Sequence, residues 1–308
     1  MTKFVFHTLS RSRWLKHLAS RYGMRRPTSF ARRFIAGETV AEAIDAARAL
    51  EARGLRHTLD LLGENVTTLE AADAATRAYL GVIDAIVQAG IERNISLKLT
   101  QLGLDADKAC AVDNLRKVLE RAEPAGFFVR IDMEDSTYTE VTLEVFETLW
   151  HHGHRGIGVV LQSELYRSER DLQHLNALGA RVRLVKGAYR EPQTVAYQRK
   201  ADVDRAYARM LKTALSDGTY PAIATHDPAM IDLARDWART HGIGAERFEF
   251  QMLYGIRRDL QADLVKAGYR LRIYVPFGRE WFPYFMRRLG ERPANVLFVL
   301  RGVTGERG

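Results

Sequence analysis

Cysteine is nearly absent, with Cys110 the only one in 308 residues. A single thiol closes no disulfide within the chain, which excludes a small disulfide-stapled scaffold and suits a reducing compartment. Its setting, the helical run DADKACAVDNLRKVLERA, is that of a small packed apolar side chain. No run of about 18 apolar residues exists to span a bilayer. Acidic residues are missing from Met1 to Gly37, where nine of the 46 Lys and Arg lie. The remainder holds 37 basic against 38 acidic residues, so the formal charge of +8 does not describe the body. It is therefore no argument that the body binds nucleic acid. A G-x-G-x-x-G turn after the first expected strand is also missing, which tells against a dinucleotide-binding Rossmann fold.

What is present in the acid-free arm is a pattern. The stretch LSRSRWLKHLASRY sets Leu9, Trp14, Leu15, Leu18 and Tyr22 at roughly helical spacing with cations between them. A basic amphipathic helix of this kind can lie on an anionic membrane, bind nucleic acid or fold back on its own domain. The composition also suits an organelle transit peptide, but lacks the apolar core of a secretory signal. The expected organisation is an arm over residues 1–37 and one catalytic unit over 38–308.

From about residue 38 the pattern becomes regular. The helix TVAEAIDAARALEARG is followed by eight short β-rich runs: HTLDLL, ISLKL, FFVRID, IGVVLQ, RVRLVK, PAIATH, RFEFQM and RLRIYV. Between them lie stretches with helical apolar spacing, several ending in Gly as a C-terminal cap would. Alternating strands and helices imply a parallel sheet, and eight repeats favour a closed (β/α)8 TIM-type barrel with an N-terminal helical arm. Side-chain alternation then maps the lumen. Leu97, Val129, Ile131, Val182, Leu184, Phe248, Phe250, Leu271 and Ile273 take the face toward the helices. Ser96, Lys98, Arg130, Asp132, Gln162, Arg183, Glu249, Gln251, Arg272 and Tyr274 take the other. A purely structural barrel core uses branched apolar residues, because a buried charge without a partner costs several kcal/mol. A polar lumen over six strands points to a ligand site at the C-terminal mouth.

The adjacent cations Arg287 and Arg288 in YFMRRLGER add a further signal. Neighbouring helical residues point about 100° apart, so the two guanidiniums do not lie on one face; spacing alone leaves open a solvated basic edge or two fixed cations, with Glu291 within ion-pairing reach of both. In order and spacing, SLKLTQLG, VRIDMED, GVVLQSELYRSERDL, RVRLVKGAYREP, ATHD, FEFQMLYG, YVPFG and WFPYFMRRLGER resemble the motifs of proline dehydrogenase, a flavin-dependent (β/α)8 enzyme. That family occurs as single-activity enzymes and within bifunctional proteins that also carry an aldehyde dehydrogenase; the short stretch after the barrel leads to the expectation of a monofunctional enzyme.

The resemblance implies FAD as cofactor, oxidation of L-proline to Δ1-pyrroline-5-carboxylate by hydride transfer, and a membrane quinone as electron acceptor. It implies Asp132 and Arg183 as catalytic residues, and Lys98, Arg287 and Arg288 as the cations that hold the substrate carboxylate. Tyr274, Tyr284 and Leu253 match the walls around the substrate ring, and Glu291 matches the partner of the arginine pair. Met133, Gln162, Lys186, Gly187, Ala188, Thr225 and His226 match cofactor contacts. No metal and no nucleic-acid partner are expected. The location implied is cytoplasmic, peripheral at the inner face of the membrane through residues 1–37, with channelling of product to a separate pyrroline-5-carboxylate dehydrogenase. Methylenetetrahydrofolate reductase, another flavin barrel, leaves the arginine pair unexplained.

Three other features have alternative readings. Lys98 and Lys186 at strand ends are where a class I aldolase keeps its Schiff-base lysine. The arm alone suggests a nucleic-acid module. The run HHGH at 151–154 has the residue type of a metal site, but falls where the third barrel helix turns toward strand four, away from the mouth.

Overall fold

The computed structural model describes the backbone of residues 30–291 and the side chains of 31–288. The amphipathic stretch expected at 9–22 lies outside the described residues. All eight expected strands form: β1 (Arg56–Leu61), β2 (Asn94–Leu97), β3 (Phe128–Ile131), β4 (Ile157–Gln162), β5 (Arg181–Val185), β6 (Ala222–Ala224), β7 (Glu249–Leu253) and β8 (Leu271–Phe277). Each pairs in parallel with the next, and β1 closes on β8 to complete the barrel. Helix α1 (Val40–Glu51) precedes β1. After the first seven strands in turn come α2 (Leu69–Ala89), α3 (Lys108–Ala122), α4 (Ser136–His151), α5 (Ser168–Ala177), α6 (Lys200–Asp217), α7 (Pro228–Thr240) and α8 (Arg258–Lys266). Helix α9 (Trp281–Glu291) follows β8 and carries the arginine pair.

Local chemistry starts these helices. Thr39 and Glu42 form a capping box on α1, each side chain taking the other's backbone N–H. Asp107, Asp135 and Asp227 cap α3, α4 and α7. Of the glycines expected as C-terminal caps, Gly153 and Gly242 adopt the left-handed conformation, but Gly218 does not. At Gly218 the requirement is close approach: a Cβ would lie 2.4 Å from the carbonyl oxygen of Ala214.

The alternation in the strands sorts as expected. Leu97, Val129, Ile131, Leu184, Phe250 and Ile273 are buried in one continuous core with the inner faces of the helices. The polar set fills the lumen in layers. On the floor, Arg272 donates from Nε and Nη2 to Glu249 at 2.7 and 3.0 Å, from Nη2 to Glu92 at 3.0 Å and from Nη1 to the carbonyl of His57 at 2.6 Å. Gln251 links floor to mouth: its amide donates to Glu249 and its carbonyl accepts from Arg183, both at 2.6 Å. The HHGH run lies at the opposite end from the mouth, where His154 Nδ1 sits 2.8 Å from Glu123 and His151 Nδ1 sits 2.7 Å from its own helix carbonyl at Glu147.

A second, smaller apolar cluster holds α9. Ala31, Phe34 and Ile35, the end of the basic arm, pack with Leu62, Trp281, Phe282, Tyr284, Phe285 and Met286. Backbone bonds from Ala36 N–H to the Pro276 carbonyl and from Gly278 N–H to the Gly37 carbonyl tie the same segment to the end of β8. The arginine pair is therefore seated on a platform built partly from arm residues.

Candidate active site at the barrel mouth

Strand ends bring the charged groups together. Lys98 follows β2, Asp132 follows β3, Arg183 lies in β5 and Tyr274 in β8, and all four face one cavity of about 640 Å³. Arg183 donates from Nη1 to Asp132 Oδ1 at 2.6 Å and from Nη2 to Ser96 Oγ at 3.0 Å, so its plane is fixed by three partners including Gln251. Asp132 Oδ2 lies 2.7 Å from the Tyr274 hydroxyl, and that hydroxyl lies 2.6 Å from Oδ2 of Asp60, a wholly buried residue of β1. Lys98 Nζ is 3.7 Å from Asp60 and 3.8 Å from Asp132. Those distances exceed a direct hydrogen bond and leave its donors toward the cavity. Burial alone would push Lys98 down, but the acidic groups around it, Asp132 and Glu64 among them, outweigh it and hold the ammonium above its ordinary value.

Helix α9 contributes the opposite wall. Arg287 makes a two-pronged ion pair with Glu64, at 2.7 and 2.9 Å. Arg288 lies with its guanidinium 5.2 Å from the centre of the Tyr284 ring, and Tyr284 stacks against Tyr274 with 6.5 Å between ring centres. The counter-ion of Arg287 is thus Glu64, on the loop after β1; the side chain of Glu291, expected in that role, lies outside the described residues. That loop is itself anchored. Thr100 Oγ1 donates to Glu134 at 2.7 Å and accepts from the Asn65 N–H at 3.1 Å, while the Val66 N–H bonds the Thr100 carbonyl at 2.9 Å. Burial pushes the Glu134 carboxyl up to about 7, against the hydrogen bonds from Thr100 and the charge of Lys98.

The cavity extends along β4 to β7. Met133, Gln162, Lys186, Gly187, Ala188, Thr225, His226 and Leu253, all expected at a cofactor or substrate site, line it. Lys186 is held between Asp204 at 2.5 Å and Asp227 at 2.6 Å. Gly187 has φ +116°, a conformation that disfavours any side chain, and a Cβ there would collide with the Glu164 carboxylate at 2.0 Å. His226 Nε2 accepts the Leu253 N–H at 2.9 Å, which requires a lone pair there, so the neutral ring carries its proton on Nδ1. Tyr189 also lines the cavity, and burial, opposed by Arg287 and Lys98, pushes its hydroxyl up to about 12.

Every site residue expected from the sequence and described here borders this one cavity. Asp60, Glu64, Asp204 and Asp227 were not anticipated. Asp60 was open to detection, because in HTLDLL it alternates with the outward Leu59 and Leu61 as Lys98 alternates with Leu97 and Leu99. Neither lysine favours the Schiff-base reading, which needs a neutral amine: Lys98 is held charged and Lys186 sits between two carboxylates. Among the described residues no cluster of three or more His, Cys, Asp or Glu is placed to hold a metal.

Comparison with known proteins agrees with this geometry. A family model described as proline dehydrogenase matches residues 43–301. The chain is 41% identical over 304 residues to proline dehydrogenase 2 of Bacillus subtilis strain 168, covering 99% of each, and 45% identical over 279 residues to the proline dehydrogenase of Deinococcus radiodurans, covering 89% of this chain and 90% of that one. Among solved structures, proline utilization A (PutA) from Bdellovibrio bacteriovorus, inactivated by N-propargylglycine, superposes with a TM-score of 0.82 at 26% identity; the match covers all of this chain and 38% of that one. With a closed eightfold barrel, its charged mouth and near full-length relatives of one kind, the chain belongs to the proline dehydrogenase family.

Proposed function

We propose that this enzyme oxidises L-proline to Δ1-pyrroline-5-carboxylate with FAD as cofactor and a membrane quinone as the final electron acceptor. The observation that carries the reading is the convergence of Lys98, Arg287 and Arg288 on one cavity with the stacked Tyr274 and Tyr284 beside them. Three cations suit a carboxylate, and two aromatic faces suit a small saturated ring. Arg183 and Asp132 fix the floor beneath that ring. In this reading the substrate carboxylate and Glu64 compete for the fork of Arg287, so Glu64 offsets the cationic cluster until substrate arrives.

The cavity's other end fits FAD by its donor set. Val160, Val185, Met133 and Met252 offer apolar surface for a planar ring, and Lys186, Lys200 and Arg257, each ion-paired to an Asp, also line the cavity as cations for phosphates. When bound, FAD supplies the hydride acceptor. This chain's residues do the rest. The cations hold the carboxylate and disfavour a positive charge on the substrate nitrogen, so the bound amine gives up a proton more readily. Loss of a hydride from the ring carbon beside that nitrogen then leaves a C=N bond as the iminium, which releases its remaining N–H proton to water to give the product.

Anaerobic addition of L-proline to the purified yellow protein should bleach its visible flavin absorption, and D-proline should not. A colourless protein, or a spectrum indifferent to L-proline, removes the proposal. Of the arm over residues 1–37, whose end packs against α9, the part before Ala31 is the segment we assign to contact with an anionic membrane, where the quinone is dissolved. Among the described residues no helix is long and apolar enough to cross a membrane. The product passes, in this reading, to a separate pyrroline-5-carboxylate dehydrogenase.

Substrate choice should turn on Tyr284. It is buried, stacked on Tyr274 and one turn before Arg288, so its bulk occupies the space a substituent at the ring's C4 would need. L-Hydroxyproline should be a poor substrate, and Tyr284→Ser should move the kcat/KM ratio toward it by on the order of tenfold, the worth of a small packing or hydroxyl contact. An unaltered ratio would place Tyr284 outside the substrate's reach.

A further inference from the structure

The Tyr274 hydroxyl has one proton but two carboxylate oxygens within hydrogen-bond distance, Asp60 Oδ2 at 2.6 Å and Asp132 Oδ2 at 2.7 Å. It can donate to only one of them. The second short contact needs another proton, and that proton must lie on a carboxyl group. Asp132 is the poorer host, because its Oδ1 takes a charge-assisted bond from Arg183 at 2.6 Å. Asp60 is wholly buried, and its Oδ1 has no hydrogen-bond partner. A bare buried oxygen is tolerable as the carbonyl of a neutral acid and far more costly as half of an anion.

We infer that Asp60 stands in the site as the neutral acid, a positioning residue that donates its proton to Tyr274 so that Tyr274 donates to Asp132, leaving the charge of Lys98 available to the substrate carboxylate. The inference rests on the proposed binding of proline at this mouth. The charged and titratable groups around Asp60 are Lys98 after β2, Asp132 after β3, Arg183 in β5, Tyr274 in β8 and Tyr79 from α2. With Asp60 neutral, Lys98 and Arg183 face the single anion of Asp132 and the floor of the mouth is net positive. With Asp60 ionised those charges cancel, and an anionic ligand loses the pull of the floor and keeps only that of the α9 arginines.

Burial, reinforced by Asp132 and opposed by Lys98, pushes the Asp60 carboxyl above its ordinary range. The acid form is therefore the low-pH form, and affinity for a carboxylate should fall as pH rises through this ionisation. One unit charge a few ångström from the ligand, at the effective dielectric of a buried site, should weaken binding on the order of tenfold or more. Cyclopentanecarboxylate is a suitable probe, since it has the ring and carboxylate of proline but no amine to titrate.

The test measures the inhibition constant of cyclopentanecarboxylate against L-proline oxidation from neutral to alkaline pH, in wild type and Asp60→Asn. Asn retains an N–H donor toward Tyr274 and cannot ionise. The wild-type constant should rise about tenfold or more on the alkaline side, and Asp60→Asn should flatten that limb. Infrared spectra give a readout independent of turnover: the wild-type minus Asp60→Asn difference at one pH, in which the half-protonated Glu134 cancels, should show a protonated-carboxyl C=O band belonging to Asp60. A limb that persists in Asp60→Asn, or a difference spectrum with no protonated-carboxyl band lost in the variant, overturns the inference while leaving proline oxidation intact. Absence of proline oxidation by the wild type overturns the functional reading and the inference with it.

Discussion

Arg288→Met should lower kcat/KM for L-proline by on the order of thirtyfold to several thousandfold, with the flavin still bound. Removing one partner of a desolvated, hydrogen-bonded charge pair costs roughly 2 to 5 kcal/mol, and tenfold per about 1.4 kcal/mol gives that range. Methionine keeps most of the stem volume, so the apolar cluster under α9, in which Tyr284 and Phe285 are buried, should persist. Arg287→Met should lose comparable activity and also some stability, because Glu64 is left without the two-pronged pair at 2.7 and 2.9 Å. Adding Glu64→Gln to Arg287→Met should restore the stability but not the affinity for proline. Lysine at either position should rescue only in part, since it offers a point charge in place of a planar fork. Steady-state kinetics on flavin-replete proteins decide the matter. Unaltered kcat/KM in both Met variants would show that the pair is a solvated edge rather than the carboxylate site.

That such a test can be framed from residue numbers reflects how the sequence encodes the barrel. Period-two alternation in ISLKL, FVRID and RLRIYV identified both faces of the sheet, because a strand places successive side chains on opposite sides whatever its neighbours are. The lumen residues Lys98, Asp132, Arg183, Gln251 and Tyr274 were legible for that reason. Their pairings were not. Arg287 meets Glu64 across 223 residues, a distance at which only the closed barrel and the seating of α9 decide who is adjacent. Local spacing favoured Glu291, one turn away, as the partner of the pair. Gly218 shows the same limit on a smaller scale: its position after a helix suggested a left-handed cap, whereas the fold uses its missing side chain to pass a carbonyl. Asp60 was readable as inward-facing, but its meaning depends on a hydroxyl from β8 and a lysine after β2, which no segment of the sequence shows together.

The floor of the barrel should prove as costly to disturb as the mouth, but in stability rather than in catalysis. Arg272→Met would leave Glu249 buried with its strongest partner gone, after losing bonds at 2.7 and 3.0 Å. Breaking a buried pair on one side costs about 3 to 5 kcal/mol, which for a domain of this size lowers Tm by roughly 5 to 15 °C. Burial pushes the Glu249 carboxyl up, but the charge and hydrogen bonds of Arg272, helped by the Gln251 amide, win and hold it at about 2. A depressed carboxyl binds fewer protons folded than unfolded. Its contribution is therefore complete above the ordinary glutamate range and lost as pH falls from about 5 toward 2. Wild-type Tm should drop through that window, and Glu249→Gln should make the drop shallower. The double variant Arg272→Met with Glu249→Leu should recover most of the stability lost by Arg272→Met alone, because it removes the stranded charge along with its partner. Thermal unfolding followed by circular dichroism across pH checks all three. A wild-type Tm in Arg272→Met, or a double variant no better than the single one, would mean that the floor is held by its apolar surroundings and not by this ion pair.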